Sequence, residues 1–304
     1  MMLQMLTDGL VVGSIVSLGA IGLTLTFSIL RFSNFGHGEM LAWGAYLALS
    51  AVGWFQALAG QGPFGPLSFG WPLVLGLGVA ILGTVGLALA VDSLLFKRLR
   101  AQGAITLVIA SFGAALALRN VLFFIYGGIP QYYSDALQMA IPLLPRSVYG
   151  GLRITPDQIF VLALTLATVV AVHLFLSRST LGRAMRATSL NPQLVRVCGI
   201  DPERVLRATW ILGGVLAAVA GVLAGLTVQL RPTLGQDLLL PLFAAAILGG
   251  IGSVWGAVLG GLIVGLAESA AVMWVGAEYR AAASFTVLIL ILLVRPTGLF
   301  PEKA

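Results

Sequence analysis

The stretch LVVGSIVSLGAIGLTLTFSI, residues 10–29, decides the fold class because it contains no charged side chain. A helix that crosses a bilayer needs roughly 18–20 apolar residues. Residues 208–228 and 239–267 are also free of charge, and only 9% of the 304 residues are charged, against about 25% in soluble domains. We therefore predict an all-α polytopic membrane protein with a single transmembrane domain over residues 1–304.

Basic residues indicate which segments face the cytoplasm. Hydropathy predicts helices near residues 10–29, 40–55, 72–95, 104–126, 158–176 and 208–228, followed by less regular apolar sequence between 238 and 295. Lys97, Arg98 and Arg100 form one basic cluster, and residues 177–207 contain six arginines. Because such segments stay in the cytoplasm, both clusters should face that side, which places Arg31 inside and the N-terminus outside.

The apolar segment 239–267 is too long for one upright helix, and GGIGS, residues 249–253, lies within it. Glycine in a membrane helix permits close packing or a break. A single crossing would place Arg295 and Lys303 outside, whereas a division near Gly250 would place them inside. The charge bias favours the division, so we expect about eight to nine transmembrane elements with broken helices and a cytoplasmic C-terminus.

A weak internal similarity occurs at a spacing of 200 residues. SILRF, residues 28–32, corresponds to VQLRP, residues 228–232, and Gly13 corresponds to Gly213. The two predicted helices run in opposite directions, so a true match would be an inverted-topology repeat. Chance similarity among small apolar residues gives the same pattern, and both interpretations stay open.

Ionisable residues inside apolar runs are the first functional candidates in a membrane protein. Here they are Asp92, Arg119, His173 and Glu268. Asp92 and His173 lie near predicted cytoplasmic helix ends, where a side chain can reach water. Arg119 and Glu268 lie deeper, and we expect each to pair with the other or with a neighbouring carbonyl, as a structural pair or as part of a substrate path.

The densest polar cluster between apolar runs is RFSNFGHGEM, residues 31–40. The predicted topology places it at the cytoplasmic junction of the first two helices. Asn34 can cap a helix, while His37 and Glu39 can satisfy free backbone groups of a broken helix. A helix that starts at Met40 could also present its positive N-terminus to a passing carboxylate. A structural junction and a substrate gate therefore both stay open.

The basic segment 177–207 is long for a loop between membrane helices and should contain short helices of its own. Asn191-Pro192 should end one helix or start the next. Arg183 and Arg186 lie three residues apart and would share one helix face. The segment is either an ordinary positive-inside loop or a docking surface for a cytoplasmic partner.

Enzymatic chemistry has little support in the sequence. The two histidines, His37 and His173, lie far apart with no metal-binding spacing around them. The phosphate-binding pattern GxxxxGKS does not occur, so we expect no cofactor and no ATP hydrolysis in this chain. Membrane topology explains the net charge of +6 better than nucleic-acid binding does.

Four segments carry recognisable motifs: NFGHGEMLAWGAYLAL at 34–49, LGRAMRATSLNPQLVRVCGID at 181–201, AAAILGGIGSVWGAVLGGLIVGLAE at 244–268 and RPTGLF at 295–300. Together they resemble the LivH-type permeases of high-affinity branched-chain amino acid ABC transporters. The similarity covers nearly the whole chain. Gly36 stands where the family often has alanine, which is a change between small residues.

The resemblance implies a permease of an ATP-driven importer in a bacterial inner membrane. Its partners would be a LivM-like second permease, two cytoplasmic ABC ATPase subunits that hydrolyse ATP, and a periplasmic substrate-binding protein. Family substrates include branched-chain and other amino acids, amides, urea and small aromatic acids, and specificity rests largely with the binding protein.

The resemblance also assigns candidate site residues. ATPase coupling would involve the segment 177–201, with Gly182, Arg183, Arg186, Asn191 and Gly199 at its motif positions. We place the substrate path or gate at Asn34, His37, Glu39, Gly250, Gly252 and Glu268.

Two other functions are compatible with parts of the sequence. An ion-coupled secondary transporter of small organic solutes would use His37, Glu39 and Glu268 as a proton or sodium relay, and an inverted repeat suits it. It leaves the segment 177–201 without a role. A membrane scaffold that transports nothing would have no need of a polar helix junction.

Overall fold

A computed structural model of the chain describes residues 2–59, 65–134, 140–144, 152–295 and 297–300. Its helices are α1 (Met2–Leu30), α2 (Gly36–Ala59), α3 (Trp71–Val91), α4 (Ala104–Tyr126), α5 (Pro156–Arg178), α6 (Thr180–Leu190), α7 (Pro192–Val197), α8 (Pro202–Thr227), α9 (Leu234–Gly249), α10 (Val254–Trp274) and α11 (Arg280–Val294). A short antiparallel pair, β1 (Ile141–Leu144) and β2 (Leu152–Ile154), precedes α5. Eight described helical spans are long and apolar enough to cross a membrane, and α9 is a shorter apolar helix. The predicted all-α polytopic fold is confirmed.

Helix α1 lies at the centre of the bundle and packs against α8, α9 and α10. Its apolar residues are spread around the whole helix, which is typical of a helix that is buried on every side. Against α10 the contact is between backbones. A Cβ added at Gly13 would lie 2.8 Å from the Cα of Leu262, and the Ser17 hydroxyl donates to the carbonyl of Val258 at 2.9 Å. Small residues thus let the two helices pack antiparallel at short range.

The long apolar segment divides as expected, and α9 and α10 form a helical hairpin. Gly250 and Gly252 make the turn, each with a φ of 96°, a conformation that favours glycine. Gly249 and Gly256 face each other so closely that a Cβ on either would overlap the other's carbonyl oxygen. The turn is tied to α1, because the amide of Gly252 donates to Thr24 Oγ1 at 2.7 Å.

The C-terminal segment returns to this turn. The amide of Leu299 donates to the carbonyl of Leu248 at 2.8 Å, and the amide of Phe300 donates to the carbonyl of Gly249 at 3.1 Å. These bonds satisfy carbonyls at the end of α9 that have no helical partner. The chain end therefore lies beside the α9–α10 turn. The cytoplasmic side of Arg295 stays a prediction, and Lys303 lies outside the described residues.

Helix boundaries differ from the hydropathy prediction where polar residues begin or extend a helix. Helix α2 begins at Gly36 instead of Met40, and α8 begins at Pro202 instead of 208. Asp201 caps α8 by accepting from the amide of Glu203 at 2.9 Å. Helix α3 continues through a π turn, Asp92–Phe96, and further turns to Gln102.

The expected repeat agrees with the order of elements but stays a prediction. Helix α1 ends at Leu30 and α8 ends at Thr227, three residues short of the spacing of 200. Each is followed by a non-helical stretch of five or six residues and then by another apolar helix.

Helices α2 and α8 provide a test of this packing. A Cβ at Gly221 would overlap the carbonyl of Leu41, so Gly221→Ala should lower the stability of the purified protein by about 1–3 kcal/mol. Gly78→Ala on α3 is the matched control, because nothing lies within 4 Å of its Cβ position. Thermal unfolding in detergent measures both, and equal Tm values for the two variants would contradict the close α2–α8 contact.

Candidate substrate gate and coupling segment

The chain between α1 and α2 turns back into the bundle. Arg31 has a positive φ of 58°, and its Nη2 donates to the carbonyl of Ser189 on α6 at 2.9 Å. Six residues further on, the His37 ring lies against α1, with Nε2 at 3.1 Å from the carbonyl of Gly19. A carbonyl only accepts, so Nε2 carries the proton.

The position of His37 fixes the depth at which α2 begins. Gly19 precedes the end of α1, Leu30, by eleven residues, which corresponds to about 16 Å along a helix axis. The hydrocarbon core is about 30 Å thick, so α2 begins near its middle. The stretch 31–40 therefore does not lie at one end of the bundle. Arg31 contacts Ser189 of α6, whereas His37 lies deeper, against Gly19 of α1, because the chain turns back into the bundle before α2 starts. The expectation that the whole stretch lies at a helix end is wrong for His37, and the cytoplasmic side of Arg31 stays a prediction.

Asn34 caps α2 as expected. Its Oδ1 accepts from the amide of Gly36 at 3.0 Å, and its backbone carbonyl accepts from the amide of His37 at 3.3 Å. The residue is 1% exposed. This cap starts the helix four residues before Met40.

Glu39 joins α2 to two other helices. Its Oε1 accepts from Arg119 on α4, from Nε at 3.0 Å and from Nη2 at 2.8 Å. Nη1 of Arg119 donates to Oε1 of Gln236, in the first turn of α9, at 2.5 Å. The side chains of Glu39 and Arg119 are 2% and 17% exposed. Of the two alternatives for Arg119, a pair with Glu268 or with a neighbouring carbonyl, the pair with Glu268 is therefore wrong. His37 contacts a backbone carbonyl of α1, and Glu39 contacts a guanidinium group of α4.

The N-termini of α2 and α9 meet at this cluster. A Cβ added at Gly38 would overlap the carbonyl of Gly235. Each helix N-terminus carries a partial positive charge, and Glu39 supplies a carboxylate in the first turn of α2. We call Asn34, His37, Glu39, Arg119 and Gln236 the gate cluster.

Three atoms of the gate cluster have unused hydrogen-bonding capacity. Asn34 Nδ2, His37 Nδ1 and Glu39 Oε2 are buried and have no hydrogen-bond partner among the described residues. Leaving a buried polar atom without a partner costs about 1–3 kcal/mol. The three atoms belong to residues within a stretch of six, and the sequence predicts all three residues to be part of a substrate path or gate.

Loops on the opposite side from Arg31 hold the start of α9 in place. The amide of Gln131 donates to the carbonyl of Leu230 at 3.0 Å, and the reverse bond is 2.8 Å. The Tyr133 hydroxyl donates to the carbonyl of Ala45 at 2.9 Å. Burial raises the pKa of Tyr133 well above its usual value, so its hydroxyl stays a neutral donor.

Glu268 lies apart from the gate cluster. Its side chain is 3% exposed; Oε1 accepts from the Ser284 hydroxyl, and Oε2 lies 3.8 Å from Nε of Arg280. Within the described part of the chain, no hydrogen bond or ion pair joins Glu268 to His37 or Glu39. The structure thus separates the expected path residues into two sites.

The basic segment between α5 and α8 folds into α6 and α7. Ser179 caps α6 by accepting from the amide of Gly182 at 2.8 Å. A Cβ at Gly182 would lie 2.5 Å from the Cα of Leu176, so glycine lets α6 fold back on the end of α5. Arg183 and Arg186 are both exposed, and Nη2 of Arg186 donates to the carbonyl of Ser177 at the end of α5, at 3.5 Å.

The end of α6 and the turn after α7 use the expected residues. The amide of Asn191 donates to the carbonyl of Ala187 at 3.0 Å, and its Oδ1 accepts from the amide of Gln193 at 3.1 Å. Asn191 therefore ends α6 and caps α7, as its place before Pro192 predicts. Gly199 has a φ of 77° in the turn before α8.

The sequence predicts that the side chains of Asp92 and His173 can both reach water, and this prediction is wrong for Asp92. Asp92 is 7% exposed and pairs with Arg100, so it is buried instead of reaching water. Arg100 also lies 3.6 Å from Glu203, which links the ends of α3 and α8. His173 is partly exposed and its ring packs on Trp255, with centroids 5.1 Å apart.

Sequence reasoning missed Gln236, Ser284 and Arg280. Gln236 lies in the first turn of α9, and only the contact with Arg119 gives it a role. The position of Glu268 at the end of an apolar run predicts that its carboxylate has a partner. It does not show that Ser284 and Arg280 are the residues that supply it. Among the residues that the structure describes, no group of three or more His, Cys, Asp or Glu could hold a metal ion.

The apolar helix bundle, the gate cluster at mid-depth and the exposed arginines of α6 define a polytopic membrane permease. Residues 5–294 match the family described as Branched-chain amino acid transport system / permease component. The chain belongs to this family, and its resemblance to LivH-type permeases is confirmed.

The curated relatives match over nearly their whole length. The permease protein BraD of a Pseudomonas aeruginosa high-affinity branched-chain amino acid transport system is 33% identical, over 98% of this chain and 95% of the relative. LivH of Escherichia coli K12, from a system of the same description, is 31% identical over 98% and 94%. A probable LivH of Methanocaldococcus jannaschii is 29% identical over 97% and 92%. Among solved structures, PsaBC from Streptococcus pneumoniae in complex with Fab has a TM-score of 0.49 at 12% identity, over 97% of this chain and 91% of that chain.

The buried ion pair of the gate cluster predicts an asymmetric mutational response. Arg119→Gln leaves the carboxylate of Glu39 buried and uncompensated, which should cost about 3–5 kcal/mol. The double variant Glu39→Gln/Arg119→Gln should recover most of that loss. Thermal unfolding of the purified variants measures the coupling, and simple additivity of the two single changes would show that the pair is not coupled.

Proposed function

We propose that the chain forms the substrate path of an ATP-driven importer of branched-chain or related amino acids in a bacterial inner membrane. It would pair with a second, LivM-like permease, receive substrate from a periplasmic binding protein, and be driven by two cytoplasmic ATPase subunits. The observation that carries this proposal is α6, a short helix that folds back on the end of α5 and leaves Arg183 and Arg186 exposed.

The contacts of α6 provide a route for coupling. Gly182 fixes α6 to the end of α5, and the carbonyl of Ser189 accepts from Arg31. Arg31 begins the short segment that leads to Asn34 and His37. A movement of α6 by a docked ATPase would therefore act on the segment that positions the gate cluster.

The gate cluster supplies groups that suit a passing amino acid. The free Nδ2 of Asn34 can donate to a carboxylate, and the free Oε2 of Glu39 can accept from an ammonium group. The N-termini of α2 and α9 add positive potential at the same place. Gly250 and Gly252 form the turn at the cytoplasmic end of α9, where a change of helix tilt would open or close an exit.

Reconstitution tests the proposal against an ion-coupled carrier. The chain, co-purified with the second permease and both ATPases, is placed in vesicles that enclose ATP, with binding protein and radiolabelled leucine outside. We expect uptake that requires ATP and the binding protein. Uptake by the purified chain alone, driven by a proton gradient and unaffected by ATP, would overturn the proposal.

The exposed arginines of α6 give a second test. Arg183→Glu/Arg186→Glu should abolish ATP-dependent uptake and should leave membrane insertion and the helix bundle intact, because both side chains are exposed. Arg98→Glu is the matched control, since Arg98 is an exposed arginine of the other basic cluster. Normal uptake by the α6 double variant would exclude α6 as the docking helix.

A further inference from the structure

A cavity of about 320 Å³ lies between α1, α8, α9, α10 and the start of α11. It is at the end of the bundle opposite Arg31, where α1 begins and α10 ends. Its volume falls at the small end of the range of about 300–1,000 Å³ that is typical of small-molecule sites. A compact metabolite, not a large ligand, suits this space.

Charges of both signs line the cavity. Arg231 and Arg280 supply guanidinium groups, and Asp237, Glu268 and Glu278 supply carboxylates. Glu268 is the buried member, at 2% exposure, and Ser284 and Arg280 hold it in place. At 3.8 Å from the nearest Nε of Arg280, its Oε2 keeps capacity for a donor. A ligand that carries both a negatively and a positively charged group would match this lining.

Pro241 adds an acceptor on the same wall. It lies inside α9 and lines the cavity, and proline lacks the amide that would bond to the carbonyl four residues earlier. That carbonyl belongs to Asp237, which also lines the cavity. An ammonium group would therefore find a backbone acceptor beside a carboxylate.

The remaining wall is apolar. Val12 and Ile15 of α1 face Leu234 and Leu238 of α9 across the cavity. Charged and branched aliphatic groups in one lining match an amphipathic ligand, which would place its apolar side chain against the aliphatic groups and its charged end at the carboxylates and guanidinium groups.

We propose that this cavity binds the zwitterion of an α-amino acid with an aliphatic side chain. The inference rests on the proposed function, because it names the solute's site within the permease. Arg280 would hold the carboxylate, Glu268 and the Asp237 carbonyl would hold the ammonium group, and Ile15 and Leu238 would contact the side chain.

The cavity and the gate cluster share the first turn of α9. Asp237 lines the cavity, and the adjacent Gln236 accepts from Arg119, which in turn holds Glu39. A solute in the cavity thus lies one residue away from a member of the gate cluster. We therefore expect the solute to bind in this cavity before the gate opens.

Cysteine protection tests the site without relying on transport. Ala281→Cys is introduced into a Cys198→Ser background, because Ala281 lines the cavity and is exposed. The intact permease–ATPase complex in nanodiscs, without binding protein, is labelled with a maleimide. Leucine should slow labelling about tenfold at about ten times its dissociation constant. Ile129→Cys, an exposed outer-loop position, should label at an unchanged rate.

Ligand and protein variants sharpen the test. Leucinamide lacks the carboxylate and 4-methylpentanoate lacks the ammonium group, so neither should protect as leucine does. Arg280→Gln should remove protection and Arg280→Lys should retain it, whereas Arg153→Gln, an exposed arginine on β2, should have no effect.

Several outcomes would overturn the inference. The first is that leucine does not change the labelling rate of the Ala281→Cys variant. The second is that leucinamide protects this variant as well as leucine does. The third is that phosphatidylethanolamine in the nanodisc blocks its labelling whether or not leucine is present. Each would leave the proposed function standing if the same complex takes up leucine with ATP. Failure of ATP-driven uptake of any amino acid by the wild-type complex would instead reject the proposed function.

Discussion

Contact between helix backbones, through glycine and other small residues, is the constraint on which this bundle depends. Lipid tails are as apolar as leucine, so burial of apolar side chains gives membrane helices little reason to associate, and close van der Waals packing must do so. Helix α1 meets α10 at Gly13 and Leu262, and α2 meets α8 at Leu41 and Gly221. A methyl group at these glycines would separate the helices.

The same close approach makes the gate cluster possible. Helix α2 can begin at mid-depth because its first turn passes over glycines, with His37 against Gly22 of α1 and Gly38 against Gly235 of α9. Two helix N-termini are thereby brought side by side, and the carboxylate of Glu39 and the guanidinium of Arg119 compensate the charges that burial would otherwise make costly. Packing and polar chemistry therefore depend on each other at this point.

Much of the fold could be predicted from the sequence where local signals decide it. The predicted helix 104–126 coincides with α4 because Gly103 and Gly127 bound it, and the glycines at 250 and 252 correctly indicated a break. The depth of His37 could not be predicted, since hydropathy reports how apolar a segment is and not how far a chain turns back. The partner of Arg119 could not be predicted for a related reason, and neither Glu268 nor a carbonyl, the two alternatives that the sequence left open, is the partner that the structure shows. Two charges can be equally deep and still lie on helices that never touch, and only the packing of α2 against α4 selects Glu39.

The central position of α1 has a consequence for the order in which the protein is made. Ser17 bonds to Val258, 241 residues later in the chain, so the first helix to be synthesised packs against one of the last. At about 5–20 residues per second, α1 waits roughly 10–50 s for that neighbour. During this time the glycine face around Gly13 is open to lipid or to other helices. The contact between α1 and α10 can therefore form only after the C-terminal third of the chain has been synthesised.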